Sequence, residues 1–159
     1  MDGQFESYIR TGTIVVTATI DEVFPLLCPK REEEWIPGWE CDVISSRSGF
    51  NEKGAIFRTK KAFGTELVWY TVDYDLANRR IEFVNFAHGI CVFNFVIDVA
   101  ISNETVTLIF THRFTPLSPE GVKFLEGIKA EDFPSRLKGL QGLLVAKLSA
   151  QSRPAMAQP

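Results

Sequence analysis

The spacing of apolar positions changes along the chain, and the change divides it into elements. The segment TGTIVVTATI (11–20) is rich in β-branched residues and predicts a strand. Asp21 then offers a helix cap, with Glu22 in the first turn and Pro25 early enough to be tolerated. This short helix runs through Phe24, Leu26 and Leu27 and ends by Pro29. A second, acidic helix, REEEW (31–35), is stopped by Pro37-Gly38. Six strands follow, at 41–48, 55–63, 66–75, 81–86, 90–101 and 105–114, separated by short polar or glycine-bearing turns. Consecutive strands with such short connections predict an antiparallel meander. Ser118-Pro119-Glu120 caps a helix near 119–129, and Pro134 separates it from a longer one near 133–150. In the latter, Leu137, Leu140, Leu144 and Leu148 share one face. Gly139 and Gly142 each cost that helix roughly 1 kcal/mol relative to Ala. This suggests close packing of the backbone there against sheet or ligand, with simple tolerance as the alternative.

Alternation assigns faces to the strands. Val106, Leu108, Phe110, His112 and Phe114 point one way on the last strand, and Cys91, Phe93, Phe95, Ile97 and Val99 do so on the one before. Ile81 and Phe83 oppose Glu82, and Phe57 and Thr59 oppose Arg58 and Lys60. In 66–75 the residues Leu67, Trp69, Thr71 and Asp73 alternate with Val68, Tyr70, Val72 and Tyr74, and either set is apolar enough to face inward.

Composition narrows the function classes. The 159 residues fit one domain, 1–159, with an ordered core over about 11–150 and a small, polar, proline-bearing tail at 151–159 expected to fray. Thirteen Phe stand against three Tyr and three Trp, so most rings must line a core or a cavity. A net charge of -3 argues against nucleic-acid binding, and no polybasic membrane anchor or membrane-length apolar run is present. The polar, acid-bearing start does not read as a signal peptide, and Cys28, Cys41 and Cys91 lack CxxC spacing, so reduced thiols and a cytoplasmic location are expected. Two histidines make a multi-histidine metal site improbable. No phosphate-binding glycine loop, GxSxG elbow or redox-cofactor motif occurs, so no cofactor is expected.

The stretch CPKREEEWIPGWE (28–40) resembles the helix-turn region of the SRPBCC superfamily, which includes START-like, polyketide cyclase-like and Bet v 1-type proteins. Phe57, LVWYTVDYD (67–75), IEFV (81–84) and FTPLSPEG (114–121) occur in the same order as in those proteins. The resemblance spans about 11 to 150. It implies an α+β helix-grip fold, in which a curved seven-stranded antiparallel sheet surrounds a long C-terminal helix and two short helices lie between strands 1 and 2. It implies a cavity for lipids, polyketides or other apolar molecules, and it favours Trp69 inward. SGFNEKG (48–54) departs from the glycine-rich loop of the plant pollen-allergen branch.

The candidate wall of such a cavity comprises Phe57, Trp69, Thr71, Phe83, Phe93, Phe95, Phe110 and Phe114 from the sheet, Leu137, Leu140 and Leu144 from the helix, and Trp35 and Trp39 at one end. His112 is a titratable side chain on an otherwise apolar face: a neutral core histidine, a ligand anchor or a proton-transfer group. Asp73 is its conceivable partner if Trp69 points inward. Thr71 and Asn85 could each bond a ligand or serve the fold. Glu32–Glu34 read as a solvated helix face. The leading expectation is a protein that binds an apolar small molecule. The alternatives are a cyclase or dehydratase using His112, and a co-chaperone-like module or homodimer using Tyr70, Val72 and Tyr74, or Val84 and Phe86, on the outer sheet face.

Overall fold

The computed structural model describes residues 4–60 and 62–152; most of the predicted tail, 153–159, lies outside the described residues. Seven strands form one antiparallel sheet in the order β1-β7-β6-β5-β4-β3-β2. They are β1 (Tyr8–Thr17), β2 (Cys41–Ser45), β3 (Ile56–Thr59), β4 (Leu67–Asp75), β5 (Arg80–Ala87), β6 (Cys91–Ser102) and β7 (Thr105–Pro116). Between β1 and β2 lie α1 (Ile20–Val23) and two short 3₁₀ turns, Phe24–Leu26 and Arg31–Glu34. After β7 come α2 (Pro119–Glu126) and α3 (Phe133–Ser152), joined through a 3₁₀ turn at Ala130–Asp132. This is the helix-grip arrangement that the family resemblance implies.

Each predicted face that alternation fixed is observed. Ile81, Phe93, Val106 and Leu108 are completely shielded from solvent, and Phe57, Phe83, Phe95, Phe110 and Phe114 are buried. The phase of β4 is settled by Leu67, Trp69 and Thr71, which are buried, while Val68 and Tyr70 are exposed. The alternation does not continue to Asp73. The pairing with β5 runs Thr71↔Phe83 and then Asp73↔Glu82, so Val72 is an extra residue and the phase inverts. Tyr74 therefore turns inward, its ring 4.9 Å from that of Phe24, and Asp73 joins the face of Glu82. The expected inward Asp73 is corrected on this ground.

The first helix also starts earlier than expected. Thr19, not Asp21, is its cap: the Thr19 hydroxyl accepts from the Glu22 amide, and the Glu22 carboxylate accepts from the Thr19 amide. The reciprocal pattern Thr-x-x-Glu is a capping box.

Helix α3 packs on β1 and closes one side of the sheet. Leu137, Leu144 and Leu148 are buried, and Leu140 is half-buried beside them. Gly12 of β1 admits this approach, since a methyl group there would overlap Leu137 Cδ1. Gly139 and Gly142 do not play a similar role: nothing lies within 4 Å of where a Cβ would project from either. The close-packing expectation for these two positions is therefore overturned, and they are exposed glycines inside a helix. Gly121 in α2 is the tight one, because a Cβ there would collide with the Ile90 carbonyl oxygen.

Opposite stability changes are thus expected in chemical denaturation. Gly139→Ala and Gly142→Ala should each stabilise by about 0.5–1 kcal/mol. Gly121→Ala should destabilise by about 1–3 kcal/mol, since backbone must move to admit the methyl group.

Candidate functional site

Between the sheet and α3 lie two adjoining apolar lobes of about 170 Å3 each. The first is lined by Trp69 of β4, Phe83 of β5, Phe95 and Ile97 of β6, and Phe110 and His112 of β7. Glu32, Ile36 and Trp39 close it from the segment between β1 and β2. The second lobe is lined by Phe114, Ile128, Phe133 and Leu137, with Arg10, Lys129 and Arg136. Phe63, His112 and Leu140 border both.

The lobes persist because their rings hold one another apart. Trp69 meets Phe83, Phe95 and Trp39 edge to face, with centroids 5.4, 5.8 and 6.1 Å apart. Both indole N–H groups are satisfied: Trp69 donates to the Thr59 hydroxyl and Trp39 to the Pro29 carbonyl. These bonds fix the ring planes that form the wall.

The candidate residues divide into two groups. Trp39, Trp69, Phe83, Phe95, Phe110, His112, Phe114, Leu137 and Leu140 line the lobes. Trp35, Phe57, Thr71, Phe93 and Leu144 lie behind them in the packed core. Trp35 is tied down by its N–H donating to the Leu26 carbonyl. The Thr71 hydroxyl donates to Asn51, whose amide donates to the Leu27 carbonyl, so Thr71 anchors the 51–54 turn to the short-helix segment. Asn85 is fully buried with neither amide atom paired among the described residues, and it borders neither lobe.

His112 sits where the lobes meet. Its ring lies over Phe95 at 3.9 Å between centroids, with the edges of Phe110, Phe114 and Phe133 around it. Burial among these rings pushes its pKa down to about 3, so it is neutral at ordinary pH. Nδ1 is buried without a partner among the described residues. An unpaired lone pair is better tolerated there than an unpaired N–H, which assigns the proton to Nε2. The pairing with Asp73 does not form. Asp73 lies on the opposite face of the sheet, and β5 and β6 separate its strand from that of His112.

Glu32 is the cavity residue that the sequence reading missed. Its neighbours are engaged: Glu33 pairs with Lys30 at 2.6 Å, and Glu34 with Arg31 at 2.9 Å and Lys147 at 3.1 Å. Glu32 has no such partner among the described residues and lines the tryptophan lobe. Burial alone pushes its pKa up to about 8. A signal existed in the spacing. At i,i+3, Lys30 faces Glu33 and Arg31 faces Glu34, whereas Glu32 has Pro29 on one side and Trp35 on the other. Phe63 was missed for a different reason. It was assigned to a strand, but it adopts φ 55° and ψ 24°, which turns its ring onto Phe93 and Phe95 at 5.6 Å.

Among the described residues no group of three or more His, Cys, Asp or Glu could hold a metal ion, and no helix is long and apolar enough to cross a membrane. The three cysteines are buried and unpaired.

The fold is the helix-grip fold, shared with several solved structures. Norcoclaurine synthase from Thalictrum flavum, solved in complex with dopamine and hydroxybenzaldehyde, superposes with a TM-score of 0.68 at 14% identity, covering 96% of this chain and 91% of that one. The Zhui aromatase/cyclase from Streptomyces sp. R1128 gives 0.68 at 18% identity, over 96% and 100% of the two chains. A START superfamily protein from Mycobacterium smegmatis gives 0.61 at 14%, over 91% and 99%. No family model matches the sequence, and no curated protein matches it significantly.

The two shifted groups predict a pH profile with opposite signs. Glu32 keeps its proton in the folded protein up to about pH 8 but loses it near 4.5 when unfolded, so its contribution to stability falls as pH rises across that window. His112 takes up a proton near 6.5 only when unfolded, so its contribution falls as pH drops from there toward 3. Denaturation of Glu32→Gln alongside the native protein should show the variant gaining relative stability from pH 5 to 8; parallel curves would contradict the assignment.

Proposed function

We propose that this protein binds an apolar small molecule, of lipid, polyketide or aromatic type, in the two-lobed cavity. The observation that carries this reading is the lining itself: aromatic and aliphatic walls with two polar side chains, Glu32 and His112, in the tryptophan lobe. Burying the apolar body supplies affinity at about 25 cal/mol per Å2, and the two polar groups fix its orientation. The Nε2–H of neutral His112 donates to a ligand oxygen. The Glu32 carboxyl, uncharged near neutral pH, can donate as well. Two proteins of the same fold support the reading: one is an aromatase/cyclase, and the other is a synthase solved with the aromatic compounds dopamine and hydroxybenzaldehyde.

Glu32 also favours a second reading, a cyclase or dehydratase. Two titratable groups whose pKa values are driven apart in one cavity suit complementary acid–base roles. Neutral His112 is a weak base, so proton abstraction falls to Glu32, whose pKa lies near physiological pH. In that chemistry Glu32 takes a proton from carbon beside a carbonyl while His112 polarises the carbonyl oxygen. The enolate carbon then attacks a second carbonyl of the same molecule, and the proton passes to the new alkoxide. A third use of the fold, a co-chaperone-like contact or a homodimer, would engage Val68, Tyr70 and Phe86, which lie together on adjacent strands and are exposed.

Native mass spectrometry of gently purified protein, with solvent extraction, should recover a bound apolar species, and added ligand should quench Trp39 and Trp69. Finding no bound species, and no quenching across a lipid and aromatic library, would overturn the binding reading. The enzymatic reading predicts that Glu32→Gln retains binding but loses at least 100-fold in turnover of a poly-β-ketone; unchanged turnover removes Glu32 from that role.

A further inference from the structure

Three cationic residues from three different parts of the chain border the second lobe. Arg10 comes from β1, Lys129 precedes the 3₁₀ turn at Ala130–Asp132, and Arg136 lies in the first turns of α3. Arg10 stands on the inward phase of β1, directly across from His112 in the strand register. The chain as a whole carries a net charge of -3, so a local cluster of positive charge runs against its average. Six other cations, Lys30, Arg31, Arg58, Lys60, Arg80 and Lys147, are engaged in ion pairs. Arg10, Lys129 and Arg136, like several cations elsewhere on the surface, have no ion-pair partner among the described residues; Arg10 donates to the Ile9 carbonyl and lies over the Tyr8 ring, and no acidic side chain lines their lobe. Glu131 and Asp132 occupy the adjoining turn, are exposed, and border neither lobe.

We propose that the ligand of this cavity is an anionic amphiphile, its carboxylate or similar oxyanion held by Arg10, Lys129 and Arg136 and its apolar body directed past His112 toward Trp69. This deepens the binding reading above and rests on it. The polarity of the two ends makes the orientation one-way. Arg10, Lys129 and Arg136 border the second lobe, and a guanidinium or ammonium group binds a carboxylate through charge-assisted hydrogen bonds. The tryptophan lobe ends on the carboxyl of Glu32, which would repel an anion if ionised and offers it no compensating cation. Lys147, the nearest cation on α3 to that end, is already occupied by Glu34.

The test uses matched probes that differ only in charge: cis-parinaric acid and its methyl ester, and 2-naphthoic acid and its methyl ester. Each is titrated by fluorescence at pH 7.5 in low salt. Each acid should bind about tenfold more tightly than its ester, as one or two charge-assisted hydrogen bonds provide. That advantage should shrink as salt is raised. In the triple variant Arg10→Gln, Lys129→Gln, Arg136→Gln the acid should lose its advantage over its ester, the ratio of the two affinities falling to within about twofold of one. If the half-buried Arg10 proves necessary for folding, Arg136→Gln alone and the salt titration of the native protein read the same quantity. Equal binding of acid and ester, or an acid preference insensitive to salt and to these substitutions, overturns the proposal and leaves the cavity reading standing. Absence of binding by all four probes removes both.

Discussion

A single helix cannot cover the concave face of a seven-stranded sheet, and the rest of the molecule follows from that mismatch. Helix α3 seats on β1, where Gly12 removes the side chain that would hold it off and Leu137, Leu144 and Leu148 fill the contact. The rest of the concave face, from β7 across to β4, is left to be covered by its own side chains. Phenylalanine suits that task because rings can pack edge to face and span the gap without needing hydrogen-bond partners. The rings contact one another closely but do not fill the concavity. The result is a pair of lobes whose walls are rigid and whose interior strips water from any polar group that enters.

This explains why the two polar residues in the tryptophan lobe behave unlike their counterparts on the surface. Glu33 and Glu34 are paired with cations and held below the usual carboxylate range. Glu32, one residue away, faces the lobe and is pushed the other way. His112 is driven down by the same loss of water. Both are neutral near pH 7, so the apolar chamber holds hydrogen-bonding groups without holding net charge, while charge is concentrated around the other lobe. A molecule with one anionic end and one neutral polar end would find both ends matched.

The strand order and the sheet faces were legible because they depend on alternation, a property of side-chain identity alone. The features that were not legible depend on backbone irregularity. The extra residue at Val72 inverts the phase of β4, and nothing in LVWYTVDYD distinguishes a regular strand from one that shifts register after Thr71. Asp73 was therefore placed on the wrong face, and its proposed partnership with His112 fell with it. Phe63 entered the cavity wall through a left-handed backbone conformation, which costs a β-carbon-bearing residue about 1–2 kcal/mol and is not anticipated from propensity. The capping box at Thr19 and the isolation of Glu32 were legible: both follow from residues three apart, and Asp21 and the acidic run drew attention away from them. The glycines of α3 show the converse error, since a costly residue invites a reason and here the space around it supplies none.

The bond between Lys147 and Glu34 gives α3 a second and weaker attachment. It is a surface ion pair between α3 and the short 3₁₀ turn at Arg31–Glu34. Such pairs contribute only about 0.2–1 kcal/mol, far less than the leucine contacts that hold α3 to β1. The two sides of α3 are therefore held unequally, firmly by the leucines against β1 and lightly by the ion pair at the turn. Added salt should therefore loosen one side of the helix and leave the other unchanged, since ion pairs are screened and leucine contacts are not.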